Sequence, residues 1–390
     1  MAEPKLRFKD EQGREYPEWK RQKLGNIFVQ TNNYSTLDDK KELYSLTVEN
    51  GITPKTERYD RSFLVKKNDK FKIVHKNEFV YNPMNMTIGA VGYNNLRKDI
   101  IVSGYYVVMK SNNVSTNEYW YNWLKSPKTI RLFKQKATGS LIEKQRIQFS
   151  TFEKIKADIP SLPEQQKIAD FLTTVDRQID IQSQRVEAMK VRKKGLLQKI
   201  FSQEIRFRDD EGREFPKWKE KKLGEIALCL DSQRVPVEKN RREEGKIPYY
   251  GANGIQGYVK DWLFDGEYVL LAEDGGHYNE YSSKPIAQFI QGKAWVNNHA
   301  HIIEADNKNN TKFLFYNLEH KDIRKYINGS TRGKLTQGDM WKILLCIPFL
   351  PEQQKIANFL TAVDHQIEVE EKRLETMKTI KKGLLQQMFI

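Results

Sequence analysis

The chain has 390 residues, with 66 Lys and Arg against 51 Asp and Glu, a formal net charge of +15 and a sequence pI near 9.4. That length allows two or three domains with their own cores, and an aromatic fraction of 11% excludes a disordered chain. The charge favours a polyanionic partner, nucleic acid ahead of an anionic membrane surface. Cys229 and Cys346 form no metal-ligand spacing and read as small apolar residues in a reducing cytoplasm. The N-terminal MAEPKLRFKDE lacks the apolar core of a signal peptide, and no apolar run approaches the roughly 18 residues of a membrane span. The expectation is a soluble, cytoplasmic protein with no membrane partner.

In chain order, a leader at 6–27 (LRFKDEQGREYPEWKRQKLGNI) opens the first half. A region at 28–158 follows. Within it, 71–83 and 99–110 are predicted as strands and 117–126 as a helix rich in aromatics. The segment 159–201 (IPSLPEQQKIADFLTTVDRQID…KKGLLQKIF) is predicted as a long helix. The plan then starts again. The leader returns at 205–226 as IRFRDDEGREFPKWKEKKLGEI, and the helix returns at 347–389 as IPFLPEQQKIANFLTAVDHQIE…KKGLLQQMF. Between them, 257–276 and 299–305 are predicted as strands and 311–327 as a helix. The offset between copies is 199 residues for the leader and 188 for the helix, so the second intervening region is 11 residues shorter. The two intervening regions, 28–158 and 227–346, barely resemble each other, although each reaches a Gly-Ser pair (Gly139-Ser140, Gly329-Ser330) shortly before the shared Ile-Pro. This is a duplicated domain, since solenoid repeats have periods of about 20–50 residues.

Pro163 and Pro351 suit a first helical turn, where a missing N–H costs nothing, and Glu164 and Glu352 suit its dipole. Ile168, Leu172, Val175, Ile179, Val186, Met189 and Leu196 keep a 3.5-residue period once Gln182 and Lys193 are counted. The second copy has Ile356, Leu360, Val363, Ile367, Leu374, Met377 and Leu384, interrupted by Glu370 and Lys381. About five heptads of this kind predict a coiled coil. Two similar helices in one chain are expected to pair antiparallel, placing Gln182 near Lys381 and Lys193 near Glu370. The fold class is therefore α+β: two mixed α/β domains joined by two long helices in an antiparallel coiled coil, a pseudo-two-fold internal repeat. Its segments are 1–158, 159–204, 205–346 and 347–390.

The sequence carries none of the common catalytic signatures. No G-x-x-x-x-G-K-[ST] loop is present, and GSTRGKL at 329–335 has the wrong spacing. No G-x-G-x-x-G follows a predicted strand. Asn82-Pro83-Met84-Asn85 lacks the second Pro and the aromatic of an adenine-methyltransferase loop and reads as a turn. His299 and His301 alternate on a predicted strand with no obvious third metal ligand, so packing or DNA contact is the better reading. Glu273-Asp274 fits either a metal-binding carboxylate pair or a loop accepting from a cytosine amino group. No catalytic or metal residue is assigned.

Polar, aromatic and basic residues cluster at predicted strand ends. In the first half these are Tyr93, Asn94, Asn95, Arg97 and Lys98, with Lys136 and Ser140 further on. In the second they are Tyr250, Asn253, Gly254, His277, Tyr278, Asn298 and His299, with Ser330, Arg332 and Lys334 at the Gly-Ser pair. Asn and Arg match the edges of adenine and guanine, and Gly lets backbone approach phosphate, so these are the candidate DNA-binding residues.

With its repeat, its LPEQQKIADFL and KKGLLQ helices and its YYGANGIQGYV segment, nearly the whole chain resembles the specificity (S) subunit of type I restriction-modification systems. The resemblance implies that 28–158 and 227–346 are target recognition domains, each reading one half of a bipartite, asymmetric site in double-stranded DNA. It implies that the helices dock two methyltransferase (M) subunits, joined by restriction-translocase (R) subunits. It also implies that this chain binds no cofactor and is no enzyme, S-adenosylmethionine belonging to the M subunits and ATP with Mg²⁺ to the R subunits. A helix over 163–201 would be about 57 Å long at 1.5 Å per residue, enough to separate half-sites by more than one DNA turn of roughly 34–36 Å. Two other readings remain open from the residues alone: a coiled-coil adaptor with two protein-binding heads, and a self-contained DNA-modifying enzyme with unrecognised motifs.

Overall fold

The structure is a computed structural model that describes residues 4–35, 42–54, 70–139, 145–329 and 333–389. Its first half holds strands β1 (Lys20–Lys23), β2 (Phe28–Thr31), β3 (Tyr34–Ser35), β4 (Tyr44–Thr47), β5 (Gly51–Pro54), β6 (Phe71–Val74), β7 (Phe79–Tyr81), β8 (Val91–Tyr93), β9 (Ile100–Val102), β10 (Val107–Ser111) and β11 (Lys156–Ile159). Helices α1 (Asn117–Lys125), α2 (Pro127–Lys136) and α3 (Phe149–Phe152) precede the long α4 (Leu162–Phe201). The second half holds β12 (Lys219–Lys222), β13 (Ala227–Cys229), β14 (Ile247–Gly251), β15 (Gly254–Val259), β16 (Phe264–Ala272), β17 (Ala287–Val296), β18 (Ala300–Ala305) and β19 (Leu344–Ile347). Its helices are α5 (Thr311–Leu318), α6 (Gln337–Met340) and the long α7 (Leu350–Met388).

Contacts group the chain into two compact units: Met1–Gln184 with Lys372–Ile390, and Arg185–Glu371. Each unit thus holds the first half of one long helix and the second half of the other. In the first unit, Ile168, Ala169 and Leu172 of α4 share a core with Leu385 and Met388 of α7, and Lys381 pairs with Asp176. In the second, Leu197 and Ile200 share a core with Ile356, Ala357 and Leu360, while Arg185 pairs with Glu370 and Lys193 with Asp364. Numbers rise along α4 as they fall along α7, so the helices run antiparallel within each unit.

The register differs from the expected one. Lys193 meets Asp364 and Glu319, each at 2.9 Å, not Glu370, and Lys381 meets Asp176, not Gln182. The reason lies in the duplication. Asp176 and Asp364 are equivalent and identical, as are Lys193 and Lys381, so this register gives both lysines a carboxylate. The expected register would have left Lys381 facing the neutral Gln182, which is instead buried. Val175, Ile179, Met189, Leu196, Val363, Leu374, Met377 and Leu384 are half-buried, while Val186 and Ile367 are buried.

The repeated segments build the same frame twice. Arg7 of the leader donates to Glu164 of α4 at 2.9 and 3.0 Å and to the Pro17 carbonyl, and Trp19 Nε1 donates to the same carboxylate at 3.2 Å. Arg206, Glu352, Pro216 and Trp218 repeat this at 2.8, 2.9, 3.0 and 3.0 Å. Both glutamates are fully buried in the first turn of their helices, where the helix dipole and a paired guanidinium hold the charge. Gln165 and Gln353 donate back to the carbonyls of Pro160 and Pro348. Two strand pairs close the frame, β1 with β11 and β12 with β19.

The unlike regions share more than their sequences do. The first carries a sheet ordered β2-β10-β7-β8, a second sheet ordered β3-β6-β9 and a β4-β5 pair; the second carries one sheet ordered β13-β18-β16-β17-β14-β15. Three strands correspond. Phe28 pairs with Ser111 as Ala227 pairs with Ala305, and Val107 with Tyr81 as His301 with Leu271. A helix follows in each, with Tyr93 against Tyr121 of α1 and Phe289 against Phe315 of α5.

Five predicted elements need correction. The strand expected at 71–83 is two strands in different sheets, broken where Asn77 takes φ +69° and the His75 amide donates to the Glu78 carboxylate. The strand at 99–110 breaks at Gly104, where a Cβ would sit 2.6 Å from the Lys70 carbonyl, and 257–276 divides into β15 and β16. The helix at 311–327 ends at Leu318, and the His320 ring then donates to the Tyr281 carbonyl at 2.7 Å. His299 lies in the turn before β18, so it shares no strand with His301.

Candidate nucleic-acid interface

In the second unit, loops from distant parts of the chain are stitched into one surface. The β14–β15 turn is held by Gln288 Nε2, which donates to Gly251 and Ala252, and by Asn253 Nδ2, which donates to the Gly275 carbonyl at 2.9 Å. Gly254 sits at φ +126°, a conformation that favours glycine, and lets the turn close. The loop after β16 receives Gly333 and Leu335: Gly275 N donates to the Gly333 carbonyl, and Leu335 N to that of Glu273. The loop before β18 joins through Asn297 Nδ2 to Gln256 Oε1 at 3.2 Å and through His299 Nδ1 to Asp274 at 3.0 Å. Beside it opens a groove of about 630 Å³, lined by Arg241, Arg242, Gln256, Asn297, Asn298 and His299.

Electrostatics fixes this surface. Glu273 takes Arg234 at 2.9 Å and Lys334 at 3.5 Å, so the Glu273-Asp274 pair serves cations and a histidine of the chain itself. Beneath, Cys229, Asp231 and His301 offer possible ligand atoms within 4.8 Å of one another. His301 spends both ring nitrogens on acceptors, Asp231 at 2.5 Å and the Leu335 carbonyl at 2.9 Å, which leaves no lone pair for a metal. Burial pushes the ring toward neutrality, but the Asp231 carboxylate, the Cys229 side chain and the Leu335 carbonyl together outweigh it and lift His301 to about 9.

The structure gathers Asn253, Gly254, Asn298, His299 and Lys334 at this surface. Tyr250 is half-buried at the end of β14, its phenol pushed up by burial. His277 is half-buried after the Gly275-Gly276 loop. Tyr278 is buried and donates to the Ala272 carbonyl at 2.6 Å, so it supports the loop from below. Ser330 and Arg332, like Ser140, lie outside the described residues. Sequence reasoning missed Arg241, Arg242, Gln256 and Gln288. Gln256 lay within YYGANGIQGYV, but nothing in the sequence joined it to Asn297.

In the first unit the candidates scatter. Asn94 is fully buried and its amide donates to the Val74 and Lys98 carbonyls, so it builds the turn. Tyr93 stacks on Phe79 at 5.0 Å and donates to Asn77. Asn95, Arg97 and Lys98 are exposed, Lys98 on Glu42 at 2.8 Å. This turn lies at the N-terminal end of β7. The turn 82–85, read as a turn and found as one, lies at the other end. It occupies the place of the Glu273 loop: Ile147 N donates to the Pro83 carbonyl as Leu335 N does to Glu273. Lys136, exposed at the end of α2, belongs with that second group.

A twice-built frame bearing two heads with unlike polar loops is the architecture of a two-headed recognition protein. A family model for the type I restriction modification DNA specificity domain matches residues 16–190 and 216–379. The chain belongs to that family. A Haemophilus influenzae protein, provisionally named a type I restriction enzyme specificity subunit, is 39% identical over 143 residues, 37% of this chain and 36% of that protein. The alignment thus spans about a third of that relative's length. The MjaVIII specificity subunit of Methanocaldococcus jannaschii is 25% identical over 318 residues, 74% of this chain and 73% of its own. In fold, the chain is similar to the crystal structure of a type I restriction-modification S subunit from M. genitalium, with TM-score 0.58 and 17% identity over 100% of this chain and 99% of that one. No helix among the described residues is long and apolar enough to cross a membrane.

Proposed function

We propose that the chain is the sequence-reading subunit of a type I restriction-modification complex, a non-catalytic protein acting on double-stranded DNA in the cytoplasm. Each unit reads one half of a bipartite site, and the half-sites differ because the loops differ. The observation that carries this reading is the contrast within one chain. Arg7, Trp19 and Glu164 recur as Arg206, Trp218 and Glu352 with the same bonds, while the loops on the shared strands have unrelated residues. A fixed frame with free loops suits a protein whose targets vary while its partners do not. Two M subunits dock on the repeated frame and R subunits join them. The chain holds no cofactor of its own: S-adenosylmethionine serves the M subunits, and ATP with Mg²⁺ the R subunits. An enzyme that modifies a base must take it out of the stack, and here that step belongs to the M partner. The test is genome-wide mapping of methylated adenines in the host with and without this chain. Loss of one bipartite motif is expected, and an unchanged methylation map overturns the proposal. Exchange of residues 227–346 for another such region should then alter one half of the motif and leave the other.

A further inference from the structure

We infer that helix α2 is a phosphate-gripping element of the first unit, an inference that rests on the DNA-reading proposal above. In ten residues, PKTIRLFKQK, α2 carries Lys128, Arg131, Lys134 and Lys136 and no acid. Thr129 and Phe133 bury one face of the helix. Lys128, Arg131 and Lys134 follow at three-residue steps on the opposite face. None of the four has an ion-pair partner among the described residues, and neither does Arg146. Elsewhere on the surface, pairing is common: Lys190 with Glu371, Lys199 with Glu204, Lys9 with Glu15. A solvent-facing row of cations without neighbouring acids repels itself, and an external polyanion relieves that repulsion.

The helix is also placed beside a reading edge. It packs on the short turn Met86–Ile88, where Gly89 takes φ +91° and a Cβ would come within 3.1 Å of Ile130 Cδ1. Met84 and Ile88 are 54% and 50% exposed there. The C-terminal end of α2 leads into the Thr138–Arg146 bridge, whose Ile147 is bonded to Pro83. In the second unit the corresponding bridge, Asn328–Lys334, joins the surface described above. The second unit has only a three-residue 3-10 turn at that place, Arg324–Tyr326, and its Arg324 pairs with Asp322 at 2.7 Å. The grip is a device of the first unit alone, and it supplies affinity without base preference.

The test measures binding of a random-sequence DNA duplex against salt, using the full chain alone and co-expressed with the methyltransferase subunits of its host. The variant combines Lys128→Gln, Arg131→Gln and Lys134→Gln, all good helix formers on an outward face. A control combines Lys9→Gln, Lys190→Gln and Lys199→Gln, which removes the same charge from paired sites. Each lost phosphate contact should lower the log–log salt slope by about 0.9, so the triple variant should fall by roughly 2 to 3 while the control stays with wild type. A steep wild-type slope that the variant keeps overturns the role of α2 and leaves the DNA reading standing. A wild type without salt-dependent binding overturns both. A variant that keeps its slope but no longer captures the methyltransferase subunits reassigns α2 to a protein partner and overturns the inference as well.

Discussion

His301 gives the sharpest energetic prediction. Its ring meets acceptors at both nitrogens, Asp231 and the Leu335 carbonyl, a pattern that only the imidazolium satisfies. Burial opposes the charge, Asp231, Cys229 and the Leu335 carbonyl together outweigh it, and the ring titrates at about 9. Asp231 is itself held below the usual carboxylate range, with burial opposing and His301, the Ile302 amide and Cys229 together prevailing. A rise from the ordinary ~6.5 to about 9 corresponds to roughly 3.5 kcal/mol in full at about 1.4 kcal/mol per pH unit. The folded value is raised. The contribution is therefore complete below about pH 6.5, declines above it, and is lost as pH rises through about 9. His301→Gln keeps most of the volume and removes the titration. Urea unfolding followed by pulsed hydrogen exchange of the β16 and β18 peptides, labelled at one pH, reads the second unit by itself. Wild type should lose roughly 3 kcal/mol more than His301→Gln between pH 6.5 and 9.5. Groups of the same unit such as Lys321, which burial depresses, add the same slope to both curves and cancel in the difference. Parallel curves over that window refute the argument, because they require a neutral ring in the folded state.

Arg206→Ala strands the fully buried Glu352 carboxylate and should cost about 3–5 kcal/mol in thermal unfolding, whereas the double variant with Glu352→Gln should recover much of it. Lys193→Glu, placed against Asp364 and Glu319, should lower the melting temperature; Asp364→Lys should restore part of the loss and Glu370→Lys none, which tests the helix register. Gly89→Ala should cost about 1–2 kcal/mol, since φ +91° and the 3.1 Å approach to Ile130 both oppose a Cβ; a neutral result in urea titration removes the reason given for that glycine. Adding one heptad to each long helix should lengthen the spacer of the methylated motif, and an unchanged spacer in methylome sequencing defeats the ruler expectation.

The frame was legible because its physics repeats along the sequence. Heptads at Ile168, Leu172 and Ile356, Leu360 announced two helices, and the return of the leader and helix segments marked a duplicated frame. What failed was register, and for a specific reason. Apolar spacing defines which helix face is buried but not how far one helix slides on the other; that is settled by pairs such as Lys193 with Asp364, and Asp364 stood outside the heptad frame. The loops were legible only where a turn signal sat beside polar residues, as at Asn253-Gly254. Asn94 and Tyr278 have the same composition as reading residues yet point inward, because Asn satisfies buried carbonyls as readily as a base edge and Tyr needs only one acceptor.

That ambiguity explains why the two halves differ in legibility. In the second unit the polar loops hydrogen-bond to one another, so finding Asn253 or His299 leads to the rest of the surface. In the first, the turn that matches the Glu273 loop is Asn82-Pro83-Met84-Asn85, with an exposed Met and no cation, and it drew attention only as a failed catalytic motif. Its equivalence appears through a backbone bond, Ile147 to Pro83, which carries no side-chain signature at all. Backbone bonds from the shared strands fix where a reading loop must lie, and side chains then vary freely upon it. A sequence exposes the varying part and hides the fixed one, so the more freely a head can change its target, the less its sequence reveals where that target is read.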